Sequence, residues 1–459
     1  MLDLQWTRNF SLGTIVIALL AALSSLTVLL WKPSQRDGLD MWLFSLEHEA
    51  LYRTVVADRD TAGQTHVRLR VLSMPALERR MLSGFFGGLP TADLLEVERQ
   101  IAGRAFTGPI ENVGFVDLTD RLRTTGLIDQ INPPSFSPWT NRGRIFGLPH
   151  DVHPVMLGYR ADIVEAAGLD VSQIETWDDF ARVLRPLMTD DDADGHPDRY
   201  LMGLWESDAD RLDTLLLQAG GRYFDDAGAC VMDDEVNVRA LATMVSWFTG
   251  PAPFATDVPD FSAGGNKLKE DGYAIAFLVP DWMCNIWRMQ MPGLAGKVKL
   301  MPLPAFEPGG RRTSVWGGTM LGIPKTARSF EESWDVAVDF YFSEKLAKEL
   351  YSRNDIITPV RSHWDDPIFD APDPFFSGQA KGRMYIELAP QVPLRTSSPY
   401  YKLARDSFRD AAAAVAEWAR ATGAAGPDGL LDRCRQELAR ARAVVNRQMG
   451  RNVFLEVNQ

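Results

Sequence analysis

The sequence predicts an α/β protein built on parallel sheet, and three observations carry that expectation. Between residues 39 and 98, short strand-like runs alternate with helical segments in the order strand, helix, strand, helix, strand. That order forces crossover connections and hence parallel pairing. Further on, capping residues precede apolar stripes at helical spacing. The chain also has 459 residues, enough for two or three domains or for two large lobes.

The first element is an apolar one. Phe10 to Trp31 contains no charged residue and is rich in Leu, Ile, Val and Ala. At about 1.5 Å per residue, such a run spans a bilayer core. Arg8 precedes it, and Lys32 and Arg36 follow. A cleaved signal peptide usually has a shorter apolar core and a small-residue cleavage site. The expectation is therefore an uncleaved N-terminal transmembrane helix, with residues 1–38 as anchor and linker. No cysteine lies near it, which excludes a lipidated cysteine as the tether.

After the linker, Leu39 to Ser45 reads as a strand and Glu47 to Ala62 as a helix stopped by Gly63. Val67, Leu69 and Val71 alternate with His66, Arg68 and Arg70, the period of a strand. Pro75 to Phe86 is helical, and Ala92 to Glu98 is a third strand. Arg144 to Pro149 and Met156 to Tyr159 read as further strands, and Asp162 to Ala167 as a helix stopped by Gly168. Thr176 is a good N-cap, with Asp179 in the capping-box position; Ser329 and Glu332 form a fuller box. Near the end, Phe408, Ala412, Val415 and Trp418, then Leu431, Cys434, Leu438, Ala441 and Val445, recur at helical spacing. These stripes read as packing faces.

Composition narrows the function. Hydrophobic residues make up 46% and charged residues 24%, which is ordinary for a globular protein. A net charge of −13 with no basic tract argues against nucleic acid as a partner. Cys230, Cys284 and Cys434 are far apart, show no metal spacing and read as small buried hydrophobes. The stretch Thr313 to Pro324 stands out: Trp316 is followed by Gly317 and Gly318, then by an apolar strand-like piece. Paired glycines let backbone approach a ligand closely, and a Trp beside them offers a flat apolar face with one N–H donor. That combination suits a polar ring such as a sugar.

Taken in order, several segments resemble the sugar-binding class of extracellular solute-binding proteins, the family that contains maltose-binding protein. Trp42 to Ser45 resembles its opening strand, and Gly87 to Leu95 its G-x-x-P-D step. Gly143 to Pro149 with Leu157 to Asp162 resembles its crossing segment, and Thr176-Trp177 its helix start. Asp271 to Ala276 with Asp281-Trp282, then Trp316-Gly317-Gly318, Ile323-Pro324 and Thr358 to Arg361 complete the set, over most of residues 39 to 450. The resemblance implies a two-lobe, type II-like periplasmic-binding-protein fold with hinge strands and a helical C-terminal extension. It implies one lobe of 39–151 plus 280–316 and another of 152–279 plus 317–459, with Trp316 to Gly318 at a crossing between them. It also implies an extracytoplasmic binding component of an ABC-type carbohydrate importer, with a sugar or oligosaccharide as ligand, permease subunits as partners, and no enzymatic activity. A carbohydrate-sensing or presenting ectodomain and a carbohydrate-active enzyme are the alternatives. The expected location is the periplasmic or extracellular face of the cell membrane. The apolar helix and the long C-terminal part depart from maltose-binding protein.

Candidate ligand-binding residues are Trp42, Trp205, Trp282 and Trp316 for stacking, and Glu47, Glu96, Glu98, Asp151 and Asp281 for hydroxyls, with Gly317 and Gly318 between them. Trp139 is a weaker candidate. Asp190, Asp192, Asp194 and Asp198 with Gly195 match the start of an EF-hand-type loop, but Leu201 stands where the bidentate Glu would be. Calcium is therefore a possible structural ion and no other cofactor is expected. His150 and His153 on one strand would point to opposite faces, so they are not expected to share a metal. No G-x-S-x-G, H-E-x-x-H or G-x-x-x-x-G-K occurs.

Overall fold

A computed structural model describes residues 11–30, 38–192, 195 and 197–452. The first sheet contains β1 (Leu39–Leu43), β2 (Val67–Val71), β3 (Leu94–Glu98), and later strands that return to it. A small ladder, β4 (Thr140–Asn141) and β5 (Arg144–Ile145), precedes β6 (Leu148–Pro149). The second sheet is built from β7 (Val155–Arg160), β8 (Tyr200–Gly203), β9 (Ala255–Thr256), β10 (Ala274–Pro280) and β11 (Val298–Pro302). The chain then re-enters the first sheet as β12 (Thr319–Gly322). The orders are β2-β1-β3-β12-β6 and β11-β7-β10-β8-β9.

The helices, in chain order, are α1 (Leu12–Leu30), α2 (Leu46–Thr61), α3 (Met74–Gly87), α4 (Arg99–Arg104), α5 (Thr119–Thr124), α6 (Ala161–Ala166), α7 (Trp177–Leu184) and α8 (Ala209–Gln218). They continue as α9 (Glu235–Trp247), α10 (Ala263–Asp271), α11 (Asp281–Gln290), α12 (Phe330–Tyr341), α13 (Glu344–Asn354), α14 (Lys381–Leu388), α15 (Tyr401–Thr422) and α16 (Gly426–Met449).

β1, β2 and β3 are parallel, as the alternation predicts. Period-2 geometry sends neighbouring side chains to opposite faces. Met41 and Leu43 join a core with Tyr52, Trp334 and Phe340. Trp42, Leu95 and Val97 join another with Leu77, Met81 and Phe115. Helices cover both faces, so β3 is buried along nearly its whole length, Glu96 included. In the second sheet every residue of β10 is buried. There β7 lies antiparallel to β10 and to β11. The α15–α16 pair adds Phe408, Val415, Leu430, Cys434 and Val445 to the second core. The Thr176–Asp179 capping box is present in both directions.

Two expectations need correction. The division 39–151 plus 280–316 against 152–279 plus 317–459 fails at two strands. β11 pairs with β7, Met301 opposite Leu157, so 298–302 belongs to the second lobe. β12 pairs with β3, Leu321 opposite Glu96, and α12 and α13 bury Trp334, Phe340 and Leu350 in the first lobe. Short apolar strands carry no mark of the sheet they join, because their partners are distant in sequence. Arg144 to Pro149 is also two strands rather than one. β5 turns back on β4 through Arg142 and Gly143, both at positive φ, whereas β6 joins β12.

The apolar N-terminal run forms α1, and its described side chains are exposed. Among the described residues no helix is long and apolar enough to cross a membrane. Arg8, Phe10, Trp31, Lys32 and Arg36 lie outside the described residues.

Leu321 sits fully buried in β12, between β3 and β6. Leu321→Ala is expected to cost about 2–5 kcal/mol in urea unfolding of the first lobe; a loss under about 0.5 kcal/mol would place β12 outside that core.

Candidate functional site

Segments 150–155 and 314–319 cross between the lobes side by side and antiparallel. His150 N–H donates to Thr319 O (2.9 Å), Trp316 N–H to His153 O (3.3 Å) and Val155 N–H to Ser314 O (3.1 Å). A third crossing follows α13, where Val152 N–H donates to Ile357 O (3.3 Å). Gly317 and Gly318 have φ of 112° and 129°, a region that glycine tolerates and L side chains rarely adopt. A Cβ on Gly317 would lie 2.6 Å from His153 Cδ2, and one on Gly318 2.9 Å from Arg395 Nη2. Conformation therefore favours glycine at both positions, and at Gly317 the buried His153 ring also leaves no space for a side chain.

These crossings form the back wall of a cleft of about 350 Å³ between the lobes. Its aromatic side is built from Trp282, Trp316 and Phe261. Trp282 meets Trp316 edge-on (centroids 5.9 Å, 86°) and lies parallel to Phe261 (6.2 Å, 12°). Trp282 Nε1–H donates to Trp316 O (2.9 Å), which fixes the indole. The polar side comes from Glu98, Arg99 and Gln100 at the carboxyl end of β3, and from Asp210 in the first turn of α8. Glu98 caps α4 by accepting from Gln100 N–H (2.8 Å). Burial pushes its carboxyl above the usual value, with Arg99 acting in the opposite direction. Arg99 reaches across the lobes to Asp213 (3.1 Å) and lies over the Tyr401 ring (5.2 Å). Such a site offers flat apolar faces beside charged and amide groups that fix hydroxyls.

Of the residues singled out in the sequence, Glu98, Trp282, Trp316, Gly317 and Gly318 line this cleft together. Glu47 is exposed near its mouth and accepts from Ser45 Oγ (2.9 Å). Trp42 is drawn away: it packs in the first-lobe core under Arg80, facing a different groove. Trp205 packs on Phe248 beneath Arg420, outside the cleft-lining set. Trp42 is turned away by the alternation of β1, whereas Trp205 lies in the loop after β8 and packs against the second core. Trp139 is fully buried core. Phe44, His48, Arg99, Asp210 and Phe261 line the cleft without having been singled out. Arg99 had a sequence signal, since it directly follows the strand end at Glu98; Phe261 and Asp210 come from loop and helix starts that only the fold brings near.

Glu96, Asp151 and Asp281 are buried behind the cleft, where they hold the scaffold. His153 donates from Nε2 to Asp151 (3.0 Å) and from Nδ1 to Asp281 (2.7 Å). Asp281 also accepts from Ile357 N–H (2.8 Å) and Asp151 from Thr319 N–H (3.2 Å). Burial by itself would lower His153; the Asp151 and Asp281 carboxylates outweigh it and push the imidazole up to about 10. Burial would raise Asp151, and His153 with His150 holds it well below the carboxylate range. Glu96 accepts from Tyr52 OH (2.5 Å) and Tyr341 OH (3.1 Å) and meets His48 Nδ1 at 2.9 Å.

At the acidic turn, carboxylate oxygens of Asp190, Asp192 and Asp198 lie within 4.8 Å of one another, and all three residues are exposed. Asp198 accepts from Asp191 N–H (2.7 Å) and Asp190 from Gly195 N–H (3.0 Å). Asp194 lies outside the described residues.

A histidine raised in the folded state stabilises it fully below the unfolded pKa and loses that effect as pH rises through the folded one. For His153 the window runs from its ordinary 6.5 to about 10. Asp151, being depressed, acts only at far lower pH. Wild type is expected to lose stability, on the order of a few kcal/mol, between pH 6.5 and 10. His153→Gln should flatten that part of the profile in urea unfolding; equal slopes in the two proteins would contradict the buried imidazolium.

Comparison with known proteins agrees with this arrangement. The model of the bacterial extracellular solute-binding protein family matches residues 108–348, more than half of the chain. An arabinooligosaccharide-binding protein of Halalkalibacterium halodurans is 23% identical over 345 residues, covering 73% of this chain and 74% of that one. One from Bacillus subtilis is 24% identical over 338 residues, covering 70% and 73%. The solved structure of the sugar-binding protein MalE from Xanthomonas citri superposes with a TM-score of 0.72 at 16% identity, over 90% of this chain and 99% of that one. With two α/β lobes, crossing segments and a cleft between them, the chain belongs to the bacterial extracellular solute-binding protein family.

Proposed function

We propose that the chain captures an oligosaccharide between its lobes and delivers it to an ABC-type importer, without chemical change to the ligand. The observation that carries this reading is the single cleft in which Trp282, Trp316 and Phe261 stand beside Glu98, Arg99, Gln100 and Asp210. Aromatic faces cover the apolar faces of sugar rings, and the charged and amide groups bind hydroxyls. A ligand lacking those hydroxyls leaves buried polar groups unpaired, so the site discriminates strongly. Arabino-oligosaccharides are the first class to test, because two relatives matched over 70% or more of this chain carry that name.

The helix α1, apolar with its described side chains exposed, supports a second part of the proposal: it tethers the lobes to the outer face of the cell membrane. Mass analysis of the protein purified from membranes tests this, with the apolar segment expected to be retained. A mature N-terminus near residues 32–40 would contradict the tether.

The binding reading is tested by thermal unfolding against arabino-, malto- and galacto-oligosaccharides. A ligand at about 100 times its Kd should stabilise the protein by about 2.7 kcal/mol. Trp282→Ala is expected to weaken the best ligand about 10-fold or more, about 1.4 kcal/mol, with the fold intact. No response to any saccharide, or full affinity in Trp282→Ala, would contradict the assignment.

A further inference from the structure

Behind the cleft wall, three groups converge that the binding reading does not use. His48 comes from the first turn of α2, Glu96 from β3 and His150 from the crossing segment after β6. One ring nitrogen of each histidine and a Glu96 oxygen all lie within 4.8 Å of one another. All three residues are buried, with exposures of 7%, 0% and 4%. The two imidazoles lie with centroids 4.5 Å apart.

The independent observation is on His150. Its Nδ1 faces Asp151 Oδ2 at 3.2 Å, and its Nε2 is buried with no hydrogen-bond partner. A carboxylate that accepts Nδ1–H fixes the tautomer in which Nε2 carries a bare lone pair. Carboxylate behind imidazole is also the arrangement that orients metal-ligating histidines. Tyr52 and Tyr341 hold the Glu96 carboxylate in the same manner.

We propose that His48, Glu96 and His150 form a binding site for a divalent first-row transition metal, with zinc as the best match. Two imidazoles and one carboxylate suit zinc, and oxygen-seeking calcium or magnesium less so. Metal–ligand bonds of about 2.0–2.2 Å put ligand atoms roughly 3.4–4.2 Å apart. The triad brackets that range: its ligand atoms all lie within 4.8 Å of one another, and the His48–Glu96 contact of 2.9 Å opens to admit the ion. His48 exchanges its contact with Glu96 for the ion, and any proton shared between them leaves to solvent. Because His48 also lines the cleft, the ion has a route in from that side. The sequence sets His150 and His153 on opposite faces, and in the structure His153 turns to Asp281 while the partners of His150 come from elements about 50 and 100 residues earlier.

The test uses the full chain, stripped with a chelator, loaded with zinc chloride or cobalt chloride and desalted. One equivalent of metal per chain is expected, with cobalt giving the visible absorption of a low-coordinate nitrogen–oxygen site. His48→Gln and His150→Gln should each lose the equivalent while unfolding cooperatively in metal-free buffer. Asp151→Asn should weaken binding about 10- to 100-fold, as loss of an orienting carboxylate does. Failure of wild type to retain metal, or retention unchanged in both histidine variants, would overturn the proposal. So would loss of the equivalent in Asp190→Asn/Asp192→Asn, which would place the ion at the acidic turn. Saccharide binding is measured separately and does not enter these outcomes.

Discussion

The structure depends on a positive charge buried where the lobes meet. His153 lies between Asp151 and Asp281, donating to both, and each carboxylate also accepts a backbone N–H from another crossing segment. One imidazolium thus ties together residues 151–153, the start of α11, Thr319 on the returning strand and Ile357 on the third crossing. Removing one member of such a buried set leaves the others as uncompensated charges, which is far costlier than the net worth of the intact pair. The crossings are therefore held together as one hydrogen-bonded unit.

That unit also shapes the cleft between the lobes. Gly317 must pass His153 without a side chain, and Gly318 passes Arg395. The exposed backbone opens the wall on which Trp282 and Trp316 are set at right angles. The Trp282 indole is fixed by the Trp316 carbonyl, so its face is positioned before any ligand arrives. Opposite it, Glu98 and Arg99 leave the end of β3, where a parallel sheet presents ligand-binding groups. Hinge closure around a ligand bound between these walls is the expected motion for this architecture.

Much of the fold was legible in local pattern. Strand periodicity from Val67 to Val71, the Thr176 and Ser329 caps and the C-terminal stripes are short-range signals, and each marks an element present in the structure. The lobe boundaries were not legible, because β11 and β12 choose their sheets through pairing with Leu157 and Glu96, far away in the chain. The site divides in the same way. Trp316, Gly317 and Gly318 announce themselves by adjacency, and Trp282 by its place after a long apolar strand. Trp42, inside β1, is turned to a core by its position on the pleat, and Trp205, in the loop after β8, packs on Phe248. Asp151, Asp281 and Glu96 read as hydroxyl acceptors in sequence; their histidine and tyrosine partners, contributed by other elements, make them scaffold instead.

The most direct measurement is the distance between the lobes with and without ligand. The three native cysteines are buried, so spin labels go selectively to introduced ones. Arg53 on α2 and Arg239 on α9 are exposed and do not line the cleft. Double electron–electron resonance on R53C/R239C should show a shorter and narrower distance distribution at saturating oligosaccharide, and no change in the same protein carrying Trp282→Ala at that concentration. A distribution unaltered by a ligand that demonstrably binds would contradict capture by closure of the two lobes.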